Sequence, residues 1–410
     1  MRPRSDRHLI GTRRTFLAQA SALTGIGIAG CMGDDTDDAD DGTEPDDTDP
    51  EPDDENETDD EFEPHLPTTG QEVPALAAVE EATLRYMESL ELTAGALGIS
   101  KNGEIVLERG YGWLDEDHTT ETPTDAQFRI ASISKTLTNA GIRHLAAENK
   151  IDLEDSALDY LDIDTLTVEP ADERFDDITI EMILEHTAGF IPAGTAADPV
   201  FDVHSIVETY ELTDPPTMED MVRYIVEQPL QDDPGEETAY SNAGHVLLGR
   251  IIETVSGQRY QDFISSEISP PTVDIAIART DPEERPENEV YYQSTESVPS
   301  ALDPNSTEEV PIADGGFLLE PMAPAGGHIS STASLLEFME QYWIYTGEER
   351  TTEDREMLAI GSLPGTYAVA QQRPDSISFV ALFNGRKDGV SREIIADINY
   401  ALDAVEDWPV

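Results

Sequence analysis

Phe128-Arg-Ile-Ala-Ser132-Ile-Ser-Lys135 is the most informative stretch of this 410-residue chain. It places a serine hydroxyl and an amine three residues apart, and Lys135 is one of only four lysines in the sequence. Residues at i and i+3 share one face of a helix, and a serine needs a neighbouring base to become a good nucleophile. The spacing therefore predicts that Lys135 activates Ser132 as a nucleophile. The alternative is a serine that caps a helix, with a surface lysine in its first turn.

The residues that follow predict a helix that begins at Ser132. Apolar side chains recur at mixed helical spacing, at Ile133, Leu137, Ile142 and Leu145. The N-terminus of a helix carries partial positive charge and free backbone N–H groups. Both favour an alkoxide at Ser132 and an unprotonated amine beside it. The N–H of Ser132 is in addition a candidate donor to an oxyanion.

The composition is strongly acidic, with 87 Asp and Glu against 24 Lys and Arg and a net charge of −63. Residues 65–410 alone carry 67 acidic and 19 basic side chains, a charge of −48. Such self-repulsion strains a compact fold in dilute buffer, whereas molar salt shortens the screening length to about 3 Å. The composition therefore predicts a halophilic protein; an acidic partner-binding surface is the alternative. It argues against a nucleic-acid partner, because phosphate binding needs a basic surface.

Residues 1–30 have the features of an export signal. Thr12-Arg-Arg-Thr-Phe-Leu17 matches the twin-arginine pattern, and the apolar stretch 17–29 is short for a membrane span. It ends in Ile28-Ala-Gly-Cys31, which resembles a lipoprotein processing box and contains the single cysteine of the chain. We therefore predict export in the folded state, cleavage before Cys31 and a lipid on that cysteine, which would anchor the protein at the outer face of the cell membrane. The alternative is a plain signal peptide cut elsewhere.

Residues 31–70 are predicted to form a disordered tether, and residues 71–410 a single catalytic domain. The segment 32–64 holds 19 acidic and no basic residues. It is too polar to bury a core and its charges repel each other into an extended chain. The remaining chain is long enough for a large domain with two subregions.

Two hairpins and two terminal helices delimit this domain. Lys101-Asn-Gly103 is a strong turn signal between two short strands, and Arg373-Pro-Asp375 separates a second pair. The stretch 132–345 is mostly helical in pattern, with predicted loops near 192–217 and 281–311. The predicted elements are helix Pro74–Leu90, strands Ala96–Ser100, Glu104–Glu108, Thr366–Gln371 and Ser376–Phe383, and a last helix that starts at Ser391. We therefore predict an α+β fold: an antiparallel sheet from the N- and C-terminal segments, flanked by helices, plus an inserted helical subdomain with a cleft between.

A second group of polar residues lies at Tyr240-Ser-Asn242, ahead of a predicted helix over His245–Val255. By itself it fits an aromatic loop residue followed by an asparagine cap, which a helix start favours.

Four segments together resemble the class C β-lactamase-like and penicillin-binding-protein-like serine hydrolases. They are Phe128–Lys135, Ile178–Phe190, Pro234–Gly249 and Ala325–Thr332, in that order and at plausible spacing. The family includes D-alanyl-D-alanine carboxypeptidases, D-amino-acid peptidases and esterases. The resemblance covers about residues 75–400 and implies the β-lactamase/transpeptidase fold.

The resemblance implies a role for each matching residue. Ser132 would be the acylated nucleophile and Lys135 its proton acceptor. Tyr240 would relay protons, and Asn242 would orient the substrate, a small-molecule or peptide-like acyl compound. Neither a metal nor an organic cofactor is implied.

The resemblance is incomplete at the edge strand, where the family has Lys or His, any residue, then Gly. The best match is Ala359-Ile-Gly361, which keeps the glycine and lacks the cation. Gly361 lets a substrate approach the backbone closely, and the N–H of Ser362 would be the second oxyanion donor. His328 is a candidate replacement for the missing cation. The loss argues against recognition of a substrate carboxylate.

The prediction is thus an exported serine hydrolase that acts through an acyl-enzyme on esters or amides, with D-aminoacyl compounds as one option. A true β-lactamase or D-alanyl-D-alanine carboxypeptidase is the alternative among enzymes. A catalytically silent surface-binding protein with the same fold is the alternative from another class.

Overall fold

The computed structural model describes residues 65–195, 197–351, 355–386 and 392–409. The predicted signal peptide, Cys31 and most of the predicted tether lie outside these residues. The strands are β1 (Thr68–Thr69), β2 (Ala94–Lys101), β3 (Glu104–Gly112), β4 (Phe128–Arg129), β5 (Ile275–Ile277), β6 (Ser297–Pro299), β7 (Glu309–Pro311), β8 (His328–Ser330), β9 (Met357–Leu363), β10 (Thr366–Gln372) and β11 (Ile377–Phe383).

Six strands form one antiparallel sheet in the order β1-β3-β2-β11-β10-β9. The two predicted hairpins are β2–β3 and β10–β11, and they meet where β11 pairs with β2, from Ile377 opposite Lys101 to Phe383 opposite Gly95. Asn102 and Gly103 have φ of 53° and 80°, the left-handed backbone that a tight two-residue turn requires. The predicted sheet built from both ends of the domain is confirmed.

The predicted tether boundary at residue 70 is wrong by a few residues. Thr68–Thr69 pairs with Tyr111 and Gly110 of β3, and the Thr69 hydroxyl donates to the carbonyl of Thr122 at 2.5 Å. Backbone pairing holds this segment in the sheet although its side chains are polar, so an apolar pattern could not reveal it.

The helices divide between the two faces of the sheet. They are α1 (Ala77–Ser89), α2 (Ser134–Ala147), α3 (Ile163–Leu166), α4 (Ile180–Leu184), α5 (Val203–Tyr210), α6 (Met218–Val226), α7 (Asn242–Ser256), α8 (Tyr260–Phe263), α9 (Ala323–Gly326), α10 (Thr332–Gln341) and α11 (Glu393–Asp403). The terminal helices α1 and α11 cover one face. None of the described helices is long and apolar enough to cross a membrane.

The alternation of side chains along the strands separates two apolar cores. Leu97, Ile99 and Phe379 face the terminal helices and pack with Ile394 and Ile398. The opposite face, with Ala96, Ala370, Val380 and Leu382, packs against the helical subregion. There α10 crosses the sheet so closely at Gly98 that an added Cβ would lie 2.8 Å from the Cβ of Thr332.

The helical insertion is confirmed, and the prediction of a loop across 192–217 is wrong. The helix α5 occupies part of it, with Val203, Ile206 and Val207 buried and the Asp202 carboxylate accepting from the N–H of Ser205. Acidic residues and prolines on both sides concealed this short amphipathic helix. The second predicted loop, 281–311, contains the small β6–β7 hairpin.

Candidate active site

Ser132 lies in a 3₁₀ turn, Ala131–Ile133, that leads directly into α2. Ala131 has a φ of +46°, a conformation that is rare for a residue with a Cβ and that concentrates at functional sites. The edge strand β9 lies against this turn: a Cβ added at Gly361 would come within 2.1 Å of the carbonyl oxygen of Ile130. Only glycine lets the strand approach so closely, and the nucleophile is thereby held beside the sheet edge.

Lys135 is buried in the first turn of α2, and its amine faces three oxygen atoms. Its Nζ lies 3.3 Å from Ser132 Oγ, 2.8 Å from Asn242 Oδ1 and 2.6 Å from the carbonyl oxygen of Ala325. The two carbonyl oxygens can only accept, so they take two N–H groups. A neutral amine then directs its lone pair at Ser132. Burial lowers the pKa of Lys135 to about 7, an effect that the carboxylate of Asp198 partly opposes.

Tyr240 completes the group around the nucleophile. Its hydroxyl is hydrogen-bonded with Ser132, and Lys135 Nζ lies 4.8 Å from the centre of its ring. Burial raises the pKa of Tyr240, and the hydrogen bond with Ser132 only partly offsets this. The phenol is therefore protonated near neutral pH, which suits a proton relay and leaves Lys135 as the candidate base.

The segment before α7 is held by His186. The ring of His186 lies 4.6 Å from that of Tyr240, and its Nδ1 accepts from the N–H of Ser241 at 3.2 Å. Burial and the nearby Lys135 amine lower the pKa of His186 to about 3, so the ring is neutral. Its contacts fit a structural role, because they position the backbone on both sides of Tyr240.

Asn242 is the first residue of α7, and both ends of its amide are engaged. Oδ1 accepts from Lys135, and Nδ2 donates to Asp198 Oδ2 at 2.9 Å. Asp198 is 2% exposed and was not among the predicted site residues. Nothing in the sequence distinguishes it from the many other acidic residues, and it lies 44 positions from Asn242. The sequence could not predict the carbonyl of Ala325 as part of the site, because a contact made by the backbone does not depend on the type of side chain.

The strand β9 brings Gly361 and Ser362 next to the 3₁₀ turn Ala131–Ile133, the nucleophile turn. As the outermost strand it leaves a row of backbone N–H groups unpaired by the sheet, which agrees with the predicted oxyanion donor at Ser362. Ala359 is buried on the same side as Gly361, where the family carries a cation. Arg386 does donate to Ser362 Oγ at 2.8 Å. However, alternation turns that hydroxyl to the opposite face, with Ile360, so this guanidinium does not replace the missing cation.

His328 does not replace it either. It is fully buried in β8, and its ring lies 5.7 Å from that of Tyr260. Burial lowers the pKa of His328 to about 4, which leaves it neutral. The described residues also contain no cluster of three or more His, Cys, Asp or Glu side chains that could hold a metal ion.

A profile of the Beta-lactamase family matches residues 79–376. The chain belongs to the beta-lactamase family. Protein flp of Staphylococcus aureus (strain MW2) is 30% identical to this chain over 167 residues, which are 41% of this chain and 31% of that protein. The probable fimbrial assembly protein FimD, serogroup H1, of Dichelobacter nodosus is 32% identical over 152 residues, 37% of this chain and 35% of that protein. The matches thus span about a third of these curated relatives.

Solved structures of this fold agree over most of the chain. D-amino acid amidase from Ochrobactrum anthropi SV3, complexed with D-phenylalanine, has a TM-score of 0.60 at 17% identity, covering 81% of this chain and 100% of that one. The octameric penicillin-binding protein homologue from Pyrococcus abyssi has a TM-score of 0.59 at 19% identity, covering 80% and 77%. The β-lactamase/transpeptidase fold is confirmed, and the family makes the protein a β-lactamase-like serine hydrolase.

Proposed function

We propose that this protein is an extracytoplasmic serine hydrolase that forms an acyl-enzyme at Ser132 on an ester or amide substrate. One observation carries the proposal: Ser132 Oγ lies 3.3 Å from the amine of Lys135, whose pKa is lowered to about 7 by burial. A lysine with an ordinary pKa would be protonated at neutral pH and could not accept the proton of the serine.

Acylation begins when Ser132 Oγ attacks the substrate carbonyl and its proton passes to Lys135 Nζ. The carbonyl oxygen becomes an oxyanion, which the N–H groups of Ser132 and Ser362 stabilise. The bond to the leaving group then breaks, and the proton returns from Lys135 through the Tyr240 hydroxyl to the departing oxygen or nitrogen. The products of this step are the free alcohol or amine and an ester at Ser132.

Deacylation reverses the direction of proton transfer. Water attacks the ester carbonyl of the acyl-enzyme and gives its proton to the unit formed by Tyr240 and Lys135. The same N–H groups stabilise the second oxyanion, and the proton then passes to Ser132 Oγ as the acid is released. No group beyond these side chains and water is needed to balance either step.

D-aminoacyl amides or esters are the substrate class that we propose to test first. Support comes from the D-amino acid amidase with the same fold. A true β-lactamase or D-alanyl-D-alanine carboxypeptidase is the second candidate. Ala359 weighs against it, because a substrate carboxylate that is desolvated without a cationic partner costs several kcal/mol. The intact set of Ser132, Lys135 and Tyr240 weighs against a catalytically silent binding protein.

The proposed location follows from the N-terminal sequence. A lipid on Cys31 would anchor the protein at the outer face of the membrane, and the acidic segment 32–64 would extend the domain away from the surface.

Labelling with a fluorophosphonate tests the proposed nucleophile. We expect mass spectrometry of the digested protein to find the phosphonate on the peptide that contains Ser132, and Ser132→Ala to abolish labelling. Ser134→Ala is the matched control, since Ser134 Oγ is turned to the N–H of His328. Labelling of a different serine, or of none, would refute the proposal.

A further inference from the structure

The amide of Asn242 connects Lys135 to a buried carboxylate. Asp198 lies on the loop between α4 and α5 and is 2% exposed. Its Oδ2 accepts from Asn242 Nδ2 at 2.9 Å and from the N–H of Gly194 at 3.2 Å. Its Oδ1 accepts from the N–H of Val200 at 3.1 Å. Burial raises the pKa of Asp198, and these three hydrogen bonds together with the Lys135 amine act in the opposite direction. Three donors around two oxygens favour the ionised carboxylate.

This arrangement determines which way the amide points. An ionised carboxylate can only accept hydrogen bonds, so the NH₂ of Asn242 must face Asp198. The carbonyl oxygen of Asn242 then faces Lys135 and must accept from it. Without the carboxylate the amide could turn over and present an NH₂ group to the amine, which would force the lone pair of Lys135 away from Ser132.

We propose that Asp198 is a positioning residue that fixes the amide of Asn242 and thereby aims the lone pair of Lys135 at Ser132. The inference rests on the proposed acyl-enzyme function. The hydrogen bonds of Asp198 run to Asn242, Gly194 and Val200, and none runs to Ser132. Because one N–H of Asn242 Nδ2 donates to Asp198, only its other N–H remains to donate to a substrate.

Asp198 is also the anionic group that faces Lys135. The other titratable neighbours are Tyr240, His186 and His245, and all three are neutral: burial raises the pKa of the phenol and lowers the pKa of both imidazoles. The carboxylate raises the pKa of Lys135 and opposes part of the effect of burial. Removal of its charge must therefore lower the pKa of the amine.

The test measures the rate of fluorophosphonate labelling of Ser132 against pH for the full chain and for Asp198→Asn. In the native protein the rate should rise as Lys135 loses its proton. In Asp198→Asn the midpoint of this rise should move to lower pH by about 1 unit, the low end for a charge partner because the Asn242 amide separates the two groups, and the maximal rate should fall by about 10²-fold through misplacement of the amine. A purely structural role would lower the rate and the melting temperature and leave the midpoint unchanged.

Asp202→Asn is the matched control. It removes a carboxylate from the same loop, and asparagine can replace aspartate as the cap of α5; neither midpoint nor rate should change. If Asp198→Asn does not fold, Asp198→Ser keeps an acceptor for the loop N–H groups and provides the same readouts. An unshifted midpoint in a folded variant overturns the inference and leaves the proposed function intact. Absence of labelling in the native protein overturns both.

Discussion

Burial of Lys135 sets the pH range in which the site can react. The amine must be unprotonated to accept the proton of Ser132, and its pKa is lowered to about 7. We expect kcat/KM for an unactivated ester to rise through about pH 7 and to stay level above it. Lys135→Ala should lose about 10²–10⁴-fold in rate together with this dependence on pH.

Tyr240→Phe should be less severe and should keep the same rise, because the phenol is protonated throughout this range. The control is Lys150→Ala, which removes a half-exposed lysine paired with Glu148. A Lys135→Ala variant that hydrolyses the ester at close to the native rate would show that Lys135 is not the base.

Ala359 provides a prediction about substrate charge. Because no cation faces the cleft at this position, benzylpenicillin should be a poor substrate compared with uncharged esters. Ala359→His should improve its hydrolysis by supplying a donor for the carboxylate, with Ile360→His, on the opposite face of β9, as the control. Rapid hydrolysis of benzylpenicillin by the unmodified protein, without improvement in Ala359→His, would be incompatible with this assignment.

The site residues that could be predicted from the sequence are those that lie close together along the chain. Ser132 and Lys135 share a helix start, and Tyr240 and Asn242 lie two residues apart. Asp198 could not be predicted from the sequence, because its role depends on one long-range contact and the chain is rich in acidic residues. The burial that changes the pKa of Lys135 likewise depends on elements that are distant in sequence.

Among the elements, β9 determines the shape of the site through its contact with the nucleophile turn. Gly361→Ala would place a methyl group 2.1 Å from the carbonyl oxygen of Ile130, so the strand or the turn must move. We expect a loss of about 10²-fold in kcat/KM, the usual effect of a displacement of about 1 Å at reacting groups. The measurement is esterase activity together with thermal unfolding.

Gly257→Ala is the control for this substitution. Gly257 ends α7 with a φ of +71° and has no atom near the position of an added Cβ. The variant should lose roughly 1–2 kcal/mol of stability and keep its activity per folded molecule. Equal activity of Gly361→Ala and the native protein would mean that β9 does not constrain Ser132.

Turn chemistry explains which elements could be predicted. Asn102-Gly103 requires a left-handed backbone, and the hairpin follows from it. The short strands β4, β5 and β8 have two or three residues each, too few for any periodicity. The helix α5 was hidden because its eight residues stand between acidic and proline-rich segments.

For the molecule as a whole, the charge of −48 on residues 65–410 predicts that folding needs salt. Circular dichroism and thermal unfolding should show loss of cooperative structure as salt falls from about 3 M to about 0.1 M, where the screening length grows from a few Å to about 10 Å. Sucrose at matched viscosity is the control for non-ionic stabilisation. Equal stability at both salt concentrations would contradict the halophilic assignment.

The N-terminal segment provides a second prediction at this scale. Cys31→Ser should release the protein from the membrane fraction, because the only cysteine is the proposed site of lipid attachment. Arg13→Lys with Arg14→Lys should instead block export and leave the protein in the cytoplasm. Cys31→Ser protein that stays with the membrane after a high-salt wash would argue against the anchor.

The pairing of β2 with β11 has a consequence for biosynthesis. The middle of the sheet joins residues 94–101 to residues 377–383, so the ribosome must add about 280 residues after β2 before β2 finds its partner. At about 5–20 residues per second, the first hairpin waits for tens of seconds with an open edge, and an isolated hairpin is only marginally stable. This topology favours protection of the first hairpin by chaperones during that interval. On the proposed export route it requires that translocation follow synthesis.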